Sequence, residues 1–251
     1  MAKGKELRLN LRTQILKRND RNRAYWETAV TTKSIAAGKV AILLCDVWDN
    51  HWCRGAVERL NEMVGQMNEV VKAARSLGVH IIHAPSDVID FYADHPARKR
   101  ILDLPEVALP EPLPHDDPPL PIDDSDLGSD TGETAWYTAW SRQHSAIEIA
   151  DEDAISARGQ EVYSFLRHRE IEQVVIMGVH TNMCVLHRSF AIKQMVRWGV
   201  NIALARDLTD TMYNPAMRPY VNHEEGTRLV IEFIEKHWCQ TILSEDLVRA
   251  L

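Results

Sequence analysis

Apolar residues in this chain fall into short unbroken runs, separated by stretches where they recur every three or four positions. Val40-Ala41-Ile42-Leu43-Leu44-Cys45 has no polar interruption, which suits a strand buried on both faces of a parallel sheet. From Ala56 to Leu77, the residues Val57, Leu60, Val64, Met67, Val71, Ala74 and Leu77 keep helical spacing, with Gly78 as the terminator. Val79 to Ala84 is a second strand, ended by Pro85, so a right-handed β-α-β unit is expected. The alternation continues with a short strand at Ala146–Ile149, a helix at Gly159–Arg169 and a strand at Gln173–Gly178. A helix over 182–198 closed by Gly199, a strand at Val200–Ala205, a helix at His223–His237 and an edge strand at Thr241–Leu243 complete it. This pattern predicts an α/β fold: a doubly wound, mostly parallel, Rossmann-like sheet of about six strands flanked by helices.

Two regions fall outside the alternation. Residues 1–39 are polar and basic, with Leu7, Leu9 and Leu11 spaced as in a strand. They are expected to form an N-terminal arm against the domain surface or a partner subunit, ahead of a main domain over 40–251. Residues 86–141 carry clustered prolines and then an acidic run from Asp123 to Asp130. A connection this long predicts an ordered insertion or lid near a site. The acidic run fails as a calcium loop, because Ser129 holds the place of the obligatory glycine and Ala135 that of the bidentate glutamate.

Composition narrows the chemistry. The 251 residues carry a formal charge of −7, which argues against a nucleic-acid partner. Cys45, Cys53, Cys184 and Cys239 are scattered without metal-ligand spacing, so no disulfide framework and no metal site are expected. No apolar leader and no membrane-length run is visible, and a reducing cytoplasm is the expected compartment. No G-x-G-x-x-G follows the first strand, so a dinucleotide is unsupported and no cofactor is expected. The expected partner is a small-molecule substrate.

Candidate chemistry sits where strands end. Asp46 closes the first strand, at the edge where open α/β sheets place ligands; the bland alternative is a cap on the next turn. Trp48, His51 and Trp52 follow at once, and with Trp136 and Trp140 they suggest a pocket with flat apolar walls. His83 lies near the end of the second strand, where a satisfied core histidine is the commoner outcome. Cys184 follows the strand ending at Gly178 and opens a helix, where unpaired N–H groups and the helix dipole favour a thiolate. Taken alone, a small buried cysteine is the simpler reading. Asp207, beyond the fifth strand, reads as a structural cap or a partner of Arg206.

The strand ending in Asp46, the motif Gly178-Val179-His180-Thr181-Asn182-Met183-Cys184-Val185 and the later Arg206-Asp207 resemble the isochorismatase-like cysteine hydrolases over about residues 40–245. That resemblance implies Cys184 as nucleophile and Asp46 as general base. It also implies an oxyanion hole from the backbone N–H groups of His180 and Cys184, a cis Val179–His180 peptide and Thr181 in the pocket. The implied reaction is hydrolysis of a small amide, ureido or related C–N substrate through a thioester. The alternative is a related protein that binds a small ligand without hydrolysing it. A homo-oligomer is expected by family analogy alone.

The chain departs from the family at its lysine. That position falls on Asp151, close to Glu148 and Glu152, and no lysine occurs between Lys99 and Lys193. Three expectations stay open. Arg142 or Arg158 supplies the charge, Glu148 or Glu152 shares a proton with Asp46, or amide hydrolysis is lost.

Overall fold

The computed structural model describes residues 5–249. The central parallel strands are β3 (Val40–Cys45), β4 (His80–Ala84), β5 (Ala154–Ile155), β6 (Gln173–Val179), β7 (Ile202–Asp210) and β8 (Gln240–Ile242). The N-terminal arm forms two further strands, β1 (Glu6–Arg18) and β2 (Ala24–Ala36), paired antiparallel along their whole length. The sheet runs β2-β1-β8-β7-β6-β3-β4-β5, eight strands in all. The two beyond the expected six are the arm itself: Leu7, Leu9 and Leu11 are buried against the core, and Arg12 pairs with Thr241 of β8.

The helices are α1 (Arg54–Leu77), α2 (Pro96–Leu102), α3 (Gly159–His168), α4 (Cys184–His187), α5 (Ile192–Arg197) and α6 (His223–His237). They cover two apolar cores, one on each face of the sheet. Ala41, Leu43 and Ile176 point to one core, and Ile42, Leu44 and Val175 to the other. That division explains the uninterrupted apolar runs, since a strand covered on both faces has no side on which to place polar residues. No helix among the described residues is long and apolar enough to cross a membrane.

Two expectations need correcting. Ala146–Ile149 is not a strand; its neighbourhood is tied down by side chains, with the Glu148 N–H donating to Asn68 Oδ1 at 2.8 Å, and the strand comes later at β5. The helix over 182–198 is two short helices. Arg188, at φ −60° and ψ 152°, leaves helical geometry between them. Ser189 then packs on Gly159, where an added Cβ would sit 2.2 Å from the Ser189 carbonyl oxygen, and its hydroxyl accepts the Gly159 N–H at 3.0 Å.

β3 and β6 are neighbours, while β4 lies on the far side of β3 and β7 on the far side of β6. The winding therefore reverses between them, and their C-terminal ends open onto the switch-point crevice.

Candidate active site

Both central strands end in backbone that only certain residues permit. At the end of β6, Gly178 has φ +123°, and a Cβ there would lie 2.0 Å from the Cys45 carbonyl oxygen. Glycine thus lets β6 close on β3 just where the two chains leave the sheet. Asp46 follows Cys45 in left-handed geometry, φ +49°, and its N–H still donates to the Ala84 carbonyl at 3.1 Å. This turn puts its carboxylate inside the crevice, fully buried.

Two groups hold that carboxylate. The Ser86 N–H donates to Oδ1 at 2.7 Å and the Arg188 Nε–H to Oδ2 at 2.8 Å. Burial pushes Asp46 above the usual carboxylate range, with Arg188 and Ser86 opposing it. Arg188 also reaches Asp87 at 3.1 Å, and its guanidinium lies 5.9 Å from the Trp48 ring centre. Burial disfavours the Arg188 charge, yet Asp46, Cys184 and Asp87 outweigh it and hold the guanidinium firmly protonated.

Cys184 is the first residue of α4, and the Arg188 N–H donates to its carbonyl at 3.0 Å. The four-residue spacing returns the Arg188 side chain to the same side of the turn as the thiol. Burial, reinforced by Asp46, pushes the Cys184 thiol up to about 12, with Arg188 pulling the other way. The resting group is therefore a thiol beside a carboxylate, with a fixed cation touching that carboxylate. Upstream, the Val179–His180 peptide is cis. The Met183 and Val185 N–H groups turn back to the His180 carbonyl, whereas the N–H groups of His180 and Cys184 have no acceptor among the described residues.

A cavity of about 470 Å3 opens over the thiol. Trp48 and Trp140 stack on one side with ring centres 3.9 Å apart and planes 8° from parallel. His51 lies nearly parallel to Trp140 at 5.7 Å and meets His180 edge-on at 4.8 Å. Burial lowers both imidazoles, His51 to about 4 and His180 to about 3, so both are neutral near pH 7. Trp52, Trp136, Met183 and Met212 complete an apolar wall, and Arg188 and Asp87 supply the charge at the edge.

A second charged cluster lies behind His180. Asp210, at the end of β7, accepts the Arg59 Nε–H at 2.9 Å, and Arg59 also binds Asp130 at 2.7 Å. His223 Nδ1 faces the Tyr213 carbonyl at 2.9 Å and Nε2 faces Asp210 Oδ1 at 2.8 Å. The imidazole thus bridges the Tyr213 carbonyl and the Asp210 carboxylate.

Comparison with family models matches an isochorismatase domain over residues 40–218, well over half of the chain. The chain belongs to the isochorismatase family. A cysteine hydrolase from Pseudomonas syringae pv. phaseolicola 1448A aligns at 14% identity and TM-score 0.54, over 86% of this chain and 93% of that one. An isochorismatase from Pseudomonas putida KT2440 aligns at 10% identity and TM-score 0.51, over 83% and 90%. At such identities the likeness shows the fold alone. A comparison with curated proteins finds no match.

Within this family frame, the expected site residues divide. The structure brings together Cys184, Asp46, His180, Trp48, His51, Trp52, Trp136 and Trp140. Thr181 does not line the cavity; it is fully buried, and its hydroxyl pairs with that of Thr209 at 2.7 Å. Glu148, Asp151 and Glu152 are not beside the thiol either. Ala154 is level with Ile82, so Asp151 and Glu152 precede β5 at the edge of the sheet away from the crevice. Glu148 instead binds Arg75 at 2.8 Å.

Neither expected arginine reaches the thiol. Arg142 lies 3.9 Å from Asp49, and Arg158 is largely exposed beside Glu161. The cation at the site is Arg188, which the sequence reading overlooked by seeking it at the family's lysine position. The available signal was its place four residues after Cys184. His83 is fully buried between Gln143 and Asp153, a satisfied core histidine, and Asp207 caps the Ser244 turn through the Ser244 N–H at 2.9 Å.

Proposed function

We propose that this protein is a cysteine hydrolase of a small amide, ureido or related C–N substrate, working through a thioester on Cys184. The observation that carries this reading is the contact set Cys184–Asp46–Arg188 on the floor of an aromatic cavity. In this mechanism the Asp46 carboxylate takes the Sγ–H proton as the sulfur attacks the substrate carbonyl carbon. The oxyanion is received by the His180 and Cys184 N–H groups, which have no acceptor among the described residues. As the C–N bond breaks, protonated Asp46 returns the proton to the leaving nitrogen. Water, deprotonated by Asp46, then adds to the thioester; acid leaves and the thiol is restored.

Arg188 differs from a lysine in one respect that matters here. A guanidinium does not give up a proton near neutral pH, so it serves as a fixed charge beside the developing thiolate while Asp46 carries every proton. The Trp48–Trp140 stack and neutral His51 favour a flat, uncharged substrate body.

The test is turnover on a panel of small amides, ureides and carbamoyl compounds, with hydroxylamine to trap a thioester. Cys184→Ala is expected to lose roughly 10^4-fold or more in kcat. Full activity in that variant, or an inactive wild-type chain across the panel, would sink the hydrolytic reading. The high thiol pKa favours one second reading, ligand binding without turnover. Saturable binding by an inactive wild type identifies it.

A further inference from the structure

The N-terminal hairpin ends the sheet in a way a soluble chain rarely leaves uncovered. β2 is the outermost strand, thirteen residues long, in register with β1 from end to end and without a bulge. It has no proline, no glycine and only two charged residues, Glu27 and Lys33. Natural edge strands are short, bulged, proline-broken or charge-rich, because a long regular edge recruits another strand. This one also exposes apolar side chains: Val30 is 58% exposed, and Tyr25 and Trp26 are each 42% exposed.

We propose that the β2 edge is covered by the β2 edge of a second copy of this chain, antiparallel about a two-fold axis through Val30. The sequence is complementary to itself in that register. Residues whose numbers sum to sixty face each other, so Glu27 meets Lys33 twice, Thr28 meets Thr32 twice, and Val30 meets its own copy. An axis perpendicular to the sheet pairs only residues on the same face, and this register alone sets the two charges of β2 against each other. Lys33 has no ion pair among the described residues, whereas Glu27 is already shared with Lys17. The interface gives Lys33 its counterion and buries the exposed valine. Strand addition of this kind joins the two sheets into one.

The experiment is analytical ultracentrifugation of the full chain with two variants outside the candidate active site. Wild type is expected to sediment as a dimer. V30K, which sets two ammonium groups on the axis, and K33E, which sets like charges opposite each other, are expected to weaken the dimer roughly tenfold or more. Their melting curves in dilute solution should stay near that of wild type, because Val30 is exposed. Mixing K33E with E27K restores opposite charges at both places and should give a heterodimer. A wild-type chain that is monomeric at every concentration overturns the proposal. So does an oligomer that V30K and K33E leave intact, or a mixture that fails to reassociate.

Discussion

Two aspartates stand at the ends of β3 and β7, with β6 between them, and each is buried against an arginine, yet they have opposite electrostatic fates. Asp46 meets one guanidinium N–H, one backbone N–H and a thiol, and burial wins: its carboxyl rises above the usual range. Asp210 meets Arg59 and His223, and these outweigh burial, so its carboxyl falls below the usual range. The difference lies in what closes each site. Asp210 is held by the Arg59 guanidinium and the His223 imidazole, and both draw its carboxyl down. Asp46 has one guanidinium partner, Arg188, and lies beside a thiol that, in the proposed mechanism, hands it a proton. A base that carries a proton through a reaction needs a carboxyl that is not drawn down.

Removing the two arginines should break the comparison most sharply. Arg188→Ala is expected to cut kcat/KM by roughly 10^2-fold or more, since it deletes the fixed charge beside the developing thiolate. It should change stability little, because it also relieves a half-buried guanidinium. Arg59→Ala leaves Asp210 and Asp130 facing each other, and should cost about 3 kcal/mol in urea unfolding. Activity per folded molecule should hardly move. If Arg188→Ala proves the less stable and Arg59→Ala the less active, the assignment of the two clusters is reversed.

Acid titration separates the aspartates next. A carboxyl lowered by folding adds stability above its unfolded pKa and loses it as pH falls through the folded value. Asp210 should therefore contribute to acid unfolding below about pH 4, and Asp210→Asn should flatten that limb of the stability curve. Asp46, raised by folding, has the opposite sign: its protonated form is favoured in the native state, so its contribution is present at low pH and is lost as pH rises through the folded value. Asp46→Asn should leave the acid limb of stability in place. Turnover, which in the proposed mechanism needs the Asp46 carboxylate, should fall with acid at a pH above the ordinary aspartate range.

The same pair shows what the sequence could disclose. The parallel core was legible because strands buried on both faces carry no polar positions, and Asp46 and Cys184 stood out by ending such runs. The arm gave only Leu7, Leu9 and Leu11 as a signal. The partner strand β2 exposes most of its residues, so no apolar alternation marked it. Arg188 was hidden for a different reason. Its only mark is its place four residues after Cys184, inside a run whose helical spacing continues to Trp198. Asp210 and His223 are joined only by the fold, thirteen residues apart in sequence, with nothing local to link them.

The smallest effect tests the boundary between site and scaffold. Thr181 lies between His180 and the helix that bears Cys184, where motif reasoning placed it in the pocket. Its hydroxyl instead meets Thr209 on β7, one residue before Asp210, and its N–H donates to the Asp210 carbonyl at 2.8 Å. It therefore ties the turn before Cys184 to the strand that carries the second aspartate. Thr181→Val keeps the shape, removes that hydroxyl and leaves Thr209 with a buried unsatisfied group, which should cost about 1–2 kcal/mol of stability. KM should stay within about twofold of wild type, since no cavity contact is lost. A rise in KM with stability unchanged would return Thr181 to the substrate side of the turn. It would also mean that the cavity extends past His180 toward Asp210 when a ligand is bound.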